Sequence, residues 1–229
     1  MGHKRTRSKK SEEPKLDDLL QMEKKKFNFD FLNEYQRSIW PKLEKNDIIF
    51  LLGSAGTGKS FLASSYAIFS LIEKRTTKIV VTRPIVEAGE KLGFLPGTFE
   101  EKVHPYMLPL YDALDDICGE DAQQRSWVDA HLEVAPIAYL RGRTLKNSVC
   151  ILDEAQNCTY TQLKLFLTRI GHGSKLIITG DPMQSDLGSH IALLDICTKL
   201  KNVSNIGIIN IANEHIVRHP LIAEIALRL

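Results

Sequence analysis

Apolar residues along this chain fall into short unbroken runs separated by longer stretches with helical spacing. Ile48 to Leu52 (IIFLL), Lys78 to Thr82 (KIVVT), Val149 to Leu152 (VCIL), Lys175 to Thr179 (KLIIT) and Ile206 to Ile211 (IGIINI) are runs of strand length. They alternate too little to have one wet face, so they predict strands buried on both sides, as in a parallel sheet. Leu132 to Leu140 (LEVAPIAYL) predicts a further strand, interrupted at Pro136. Between the runs, Phe61 to Ile72, Thr159 to Ile170 and Ser189 to Leu200 have the spacing of amphipathic helices, with Leu163, Phe166, Leu167 and Ile170 on one face of the second. Gly171 is expected to close that second helix. Asn28 to Lys45 predicts a helix or helix pair broken at Pro41. Thr98 to Ala130 is expected to be helical, with Thr98 and Glu101 as a capping box and Pro105 and Pro109 breaking its first half. A last helix is expected after Pro220. Strands alternating with helices argue an α/β fold with a mainly parallel sheet and helices on both faces.

The junctions between these elements carry the chemistry. Gly53 to Ser60 (GSAGTGKS) fits G-x-x-x-x-G-K-S/T and lies between a buried strand and a helix, the context the motif requires. Gly53, Gly56 and Gly58 let the backbone turn tightly, with the amides of Ser54, Ala55 and Thr57 contributing to an anion nest at a helix N-terminus. Lys59 supplies a mobile positive charge for the β- and γ-phosphates, and the Ser60 hydroxyl can ligate Mg²⁺. Asp153 and Glu154 follow the VCIL run directly. Beside a phosphate loop they read as the second nucleotide motif, Asp153 holding the Mg²⁺ hydration shell and Glu154 taking a proton from the attacking water. An acid pair capping the next helix is the plainer alternative. Gln184, beyond the KLIIT run, is a candidate γ-phosphate sensor through its amide.

Other candidates rest on residue type alone. Gln36 has an amide able to read adenine, although an exposed helical glutamine is simpler on spacing. Arg83 precedes, and Lys91 lies within, the glycine-rich stretch Ile85 to Gly97, a loop placed where parallel sheets hold ligands. Arg141 and Arg143, around Gly142, suit phosphate contact. Solvated surface charge is the alternative for all four.

Composition adds limits. The chain of 229 residues carries a net charge of +2, but residues 1–26 hold nine Lys/Arg and five Asp/Glu, so the remainder is slightly acidic. That basic stretch is expected to be a disordered tail, either an electrostatic arm for a polyanion or a solubility tail. Residues 27–229 show no linker and predict one domain with a helical insertion at about 98–131. Four cysteines (118, 150, 158 and 197) without C-x-x-C spacing read as reduced core thiols, and no run approaches membrane-spanning length, so a cytoplasmic protein is expected.

Taken together, GSAGTGKS, Arg83 to Pro96 (RPIVEAGEKLGFLP), Arg141 to Thr144 (RGRT), Ile151 to Asn157 (ILDEAQN), Gly180 to Leu187 (GDPMQSDL) and Ile216 to Pro220 (IVRHP) resemble the PhoH-like ATPases. That family is similar to the N-terminal motor domain of superfamily-one helicases. The resemblance implies a RecA-like P-loop NTPase fold with an extra strand between the two nucleotide-motif strands, and use of ATP and Mg²⁺. It implies the adenine role for Gln36, the γ-phosphate role for Gln184, and RNA or another single-stranded nucleic acid as partner. It also makes Arg218 a candidate arginine finger. Helicases close their site between two motor domains, and this chain has room for one, so Arg218 is expected to act in trans in a ring-like homo-oligomer such as a hexamer. Two other functions stay open: an ATP-dependent oligomeric switch or partner-loading module, and a small-molecule kinase. The adjacent Asp153 and Glu154 weigh against the kinase, because activating water wastes ATP.

Overall fold

A computed structural model describes residues 33–84, 111, 114–115, 119, 122–184, 191–212 and 214. The tail at 1–26, the loop at 85–97, most of the 98–131 insertion and the final expected helix lie outside the described residues.

Helix α1 (Glu34–Lys45) starts at Asn33, whose side-chain oxygen accepts from the Gln36 amide at 2.8 Å. It runs through Pro41 without the break expected there. An interior proline loses one ladder bond and crowds the carbonyl four residues back, a cost of about 3 kcal/mol that packing must offset. Ile39 and Leu43, 1% and 0% exposed, anchor the helix in the core on either side of it. Its last carbonyls, Leu43, Glu44 and Asn46, receive the Lys175 ammonium.

Strand β1 (Ile48–Gly53) leads into α2 (Lys59–Ile72), and β2 (Lys78–Thr82) follows. Then come α3 (Ala122–Ala130), within the expected insertion, and β3 (Leu132–Val134). β4 (Ser148–Leu152), α4 (Tyr160–Leu167), β5 (Lys175–Gly180), α5 (Ile191–Leu200) and β6 (Ile206–Ile211) complete the order.

The six strands form one sheet, ordered β3-β2-β4-β5-β1-β6. Every neighbouring pair is parallel. Strand β5 therefore separates β1 from β4, the extra strand implied by the sequence resemblance. The pleat explains the unbroken apolar runs. Ile49 and Leu51 point into one core layer, with Ile39, Leu43, Leu62 and Ile68 of α1 and α2. Phe50 and Leu52 point into the other, with Leu163, Phe166, Leu193 and Ile196 of α4 and α5. Burial on both faces demands apolar residues at every position.

Two expected boundaries move. β3 ends at Val134, and Ile137–Leu140 form a 3-10 turn instead of more strand. The Ala135 amide makes the last bond to β2, reaching the Val81 carbonyl at 3.0 Å, and Pro136 has no N–H to continue. α4 stops at Leu167, where the Thr168 amide and hydroxyl cap the Lys164 carbonyl at 3.1 and 2.9 Å. Gly171 is needed for closeness instead: a Cβ there would lie 2.2 Å from the Leu145 carbonyl oxygen. Cys150, Cys158 and Cys197 are free and buried, and burial pushes their thiols up to about 11, 12 and 12. Among the described residues, no helix is long and apolar enough to cross a membrane.

Candidate functional site

Strand β1 delivers Gly53 to the carboxyl edge of the sheet, next to Ile211 of β6. The approach is too close for a side chain: a Cβ on Gly53 would meet the Ile211 carbonyl oxygen at 2.6 Å. Gly56 and Gly58 have φ of 84° and 77°, left-handed values that curl the loop into the first turn of α2. Thr57, fully buried, ties the loop across itself by donating to the Ser54 carbonyl at 2.8 Å. Lys59 Nζ donates to the Gly53 and Ser54 carbonyls at 2.7 and 2.8 Å, which lays its ammonium over the loop. Ala55 lies in the same turn. The result is a concave backbone surface at the positive end of a 14-residue helix.

Asp153 comes from β4 on the far side of β5. Its amide donates to the Thr82 carbonyl at 3.0 Å, so β4 stays paired with β2 as it ends. Its Oδ1 accepts from Ser60 Oγ at 2.8 Å and from the Thr179 hydroxyl. One carboxylate oxygen thus joins the phosphate-loop helix, β4 and β5. These donors are hard oxygens, which suits Mg²⁺. Ser60 would hold the ion, and Asp153 would hold its hydration shell.

Glu154 turns out of the strand with φ 55° and ψ 44°. That left-handed conformation is uncommon for a residue with a side chain, and it swings the carboxylate away from the β4 direction. Its Oε2 accepts from Gln156 Nε2 at 2.5 Å, and its Oε1 lies 3.6 Å from Arg83 Nη2. Gln156 is 3% exposed, and its Oε1 accepts from the Asp181 amide at 3.0 Å. The amide orientation is fixed, because a backbone N–H faces one end and a carboxylate the other. Gly180 makes room: a Cβ there would sit 3.1 Å from Gln156 Oε1.

Asp181, buried, builds the turn after β5. Its Oδ1 accepts from the Met183 amide at 2.9 Å, and its carbonyl from the Gln184 amide at 3.2 Å. Its Oδ2 has no hydrogen-bond partner among the described residues. Gln184 itself is exposed on that turn.

Gln36 is fully buried, not an exposed helical residue. Its neighbour Tyr35 donates to the Asn210 carbonyl at 3.0 Å, and Asn210 pairs with Leu52. That contact draws the start of α1 to the sheet edge where the phosphate loop begins. Arg143 is placed elsewhere. It grips Glu133 at 2.5 and 2.9 Å, with Lys78 Nζ 3.3 Å from the same carboxylate. The guanidinium holds the Glu133 carboxyl below its ordinary range. Lys78 opens β2, whereas Arg83 follows its other end, so Arg143 is not brought to the phosphate loop. Arg141 is exposed beside Gly142. Lys91 and Arg218 lie outside the described residues.

Gln156, Thr179 and Asp181 lie in stretches singled out in the sequence, but without a role of their own there. Their signals were membership of the quoted motifs, for Gln156 and Asp181, and position at or just after an apolar run, for Thr179 and Asp181. A cavity of about 510 Å³ opens at the other end of the sheet, lined by Tyr66, Arg75, Ser148 and Lys175, and none of the nucleotide-motif residues borders it.

A glycine loop leaving β1, an acid pair leaving β4 and a strand inserted between them define a P-loop NTPase of the RecA-like kind. Comparison with known proteins narrows this. The family model described as "PhoH-like protein" matches residues 30–228, and the chain belongs to that family. It is 50% identical over 192 residues to a PhoH-like protein of Bacillus subtilis, covering 83% of this chain and 60% of that one. It is 41% identical over 194 residues to Protein PhoH of Escherichia coli K12, covering 82% of this chain and 54% of that one. The chain therefore spans little more than half the length of these relatives. Among solved structures, the large terminase of a thermophilic bacteriophage shares the fold with TM-score 0.54 and 15% identity, over 87% of this chain and 50% of that one.

Proposed function

We propose that this protein is an Mg²⁺-dependent ATPase whose turnover is coupled to binding or remodelling RNA. The contact between Ser60 Oγ and Asp153 Oδ1, at 2.8 Å across 93 residues of sequence, carries the reading. It joins the two motifs into one site and leaves Glu154 beside it. The loop amides and Lys59 bind the β- and γ-phosphates, and Gln36 reads the adenine. Mg²⁺, when bound, neutralises charge developing on the phosphate oxygens. Glu154 orients a water for in-line attack and takes its proton, and Gln184 on the β5 turn senses the γ-phosphate. Arg218 completes the site from a neighbouring subunit of a ring.

Phosphate release from Mg²⁺-ATP, with and without poly(U), tests this in the wild type and in Glu154→Gln. The variant is expected to lose at least about 100-fold in turnover while keeping its affinity for a fluorescent ATP analogue. Chelating Mg²⁺ should stop the wild type. Undiminished turnover in Glu154→Gln would overturn the role of Glu154. Poly(U) without effect on the wild type would remove RNA from the proposal.

A further inference from the structure

Arg83 and Glu154 leave adjacent strands. Thr82 pairs with Leu152 across β2 and β4, so the residues beyond them meet at the carboxyl edge of the sheet. Their side chains form an ion pair, with Nη2 3.6 Å from Oε1 and exposures of 25% and 37%. The other oxygen, Oε2, is occupied by Gln156 at 2.5 Å. Both oxygens of the acid assigned to water activation therefore face protein donors. Gln156 is buried and anchored to β5, so its hold is fixed. Arg83 is half-buried and solvent can reach it.

We propose that Arg83 is a brake on Glu154, released when a phosphodiester of single-stranded RNA takes the guanidinium. The inference rests on the reading of Glu154 given above. A guanidinium presents the same fork of N–H donors to a carboxylate and to a phosphate. With its charge beside Glu154, it holds Oε1 in an ion pair. With the fork on a phosphate, Oε1 is available. The site lies where loops leaving a parallel sheet hold ligands, so a strand lying there can reach Arg83. A pair this exposed favours the closed arrangement by no more than about fivefold, which makes it weak enough for a competing anion to open.

The experiment measures ATP turnover of the wild type, Arg83→Ala and Arg83→Lys in three conditions: no addition, poly(U), and inorganic phosphate at the same phosphate concentration. Arg83→Ala is expected to hydrolyse about two- to fivefold faster than the wild type without RNA. It should then gain nothing from poly(U). Arg83→Lys, which keeps the charge but loses the fork, should fall between them, and inorganic phosphate should not stimulate the wild type. Turnover of Arg83→Ala equal to or below that of an active wild type would overturn the brake and leave the ATPase reading standing. A fast Arg83→Ala still stimulated by poly(U), or a wild type stimulated as well by inorganic phosphate, would overturn RNA as the release. No hydrolysis by any of the three proteins in any condition would overturn both the brake and the ATPase reading.

Discussion

Gln156 is the residue on which the acid and the β5 turn both depend. Its amide donates to Glu154 and accepts from the Asp181 N–H, so it transmits the position of the turn bearing Gln184 to the carboxylate. Gln156→Ala removes both contacts and leaves a buried N–H unsatisfied, at a cost of about 1–3 kcal/mol. Turnover is expected to fall about tenfold as Glu154 loses its orientation. Urea unfolding and steady-state hydrolysis on the same preparation check the two effects, and a fully active variant of unchanged stability would refute the link. Single residues were legible in the sequence only where a motif names them. The phosphate loop and Asp153–Glu154 were found because strand, loop and helix frame them. Gln156 and Thr179 escaped because their roles arise from partners 2 to 26 residues away, across strands whose order the sequence does not reveal. Spacing alone favoured an exposed Gln36, and only the family resemblance raised it above that, for a similar reason. Its burial depends on α1 lying against β6, which no local pattern encodes.

At the scale of elements, the sequence located the described strands well because two-sided burial leaves an unmistakable apolar run. It failed at ends, where one proline or one threonine decides. Pro41 and Pro136 show the limit: the first is carried inside a helix held by packing, the second stops a strand that needed its N–H. The junction of α1 and β5 also rests on a charge. The Lys175 ammonium lies among the last carbonyls of α1, 5.1 Å from the centre of the Tyr66 ring. Burial is the main cause that pushes its pKa down from 10.5 to about 8, and Arg75 adds to the fall, while Asp47 and Glu44 oppose it. A lysine whose folded value lies below its unfolded one releases its proton on folding between those two values. Stability is therefore expected to rise with pH from about 8 towards 10.5, and to gain nothing from this group below 8. Urea midpoints at pH ~7.5 and ~9.5 should show the rise in the wild type and its loss in Lys175→Met. Equal slopes in the two proteins would contradict it.

For the whole molecule, the sheet order sets what can be built around the site. The described chemistry comes from the ends of β1, β2, β4 and β5, the four inner strands, while β3 and β6 form the edges. Hydrogen bonds through Asp153 and Gln156 tie the ends of the inner strands together. The proposed ring places Arg218 of one subunit at the Mg²⁺-ATP of the next. Light scattering is expected to show a larger assembly with Mg²⁺-ATP than without nucleotide. Arg218→Ala should keep ATP binding and lose at least about 1000-fold in turnover, the usual worth of such a finger. A wild type that stays monomeric with Mg²⁺-ATP, or an Arg218→Ala variant with full turnover, would end this proposal. The oligomeric switch without strand separation predicts the same assembly but no unwinding of an RNA duplex.

The left-handed backbone at Glu154 has an evolutionary consequence. Glycine would relieve roughly 1–2 kcal/mol of steric cost there, and one base change in a glutamate codon produces it. Drift governed by backbone comfort alone would exchange the acid for glycine, and with it lose the group proposed to activate water. Under the role proposed for Glu154, the acid keeps a strained backbone in exchange for turnover.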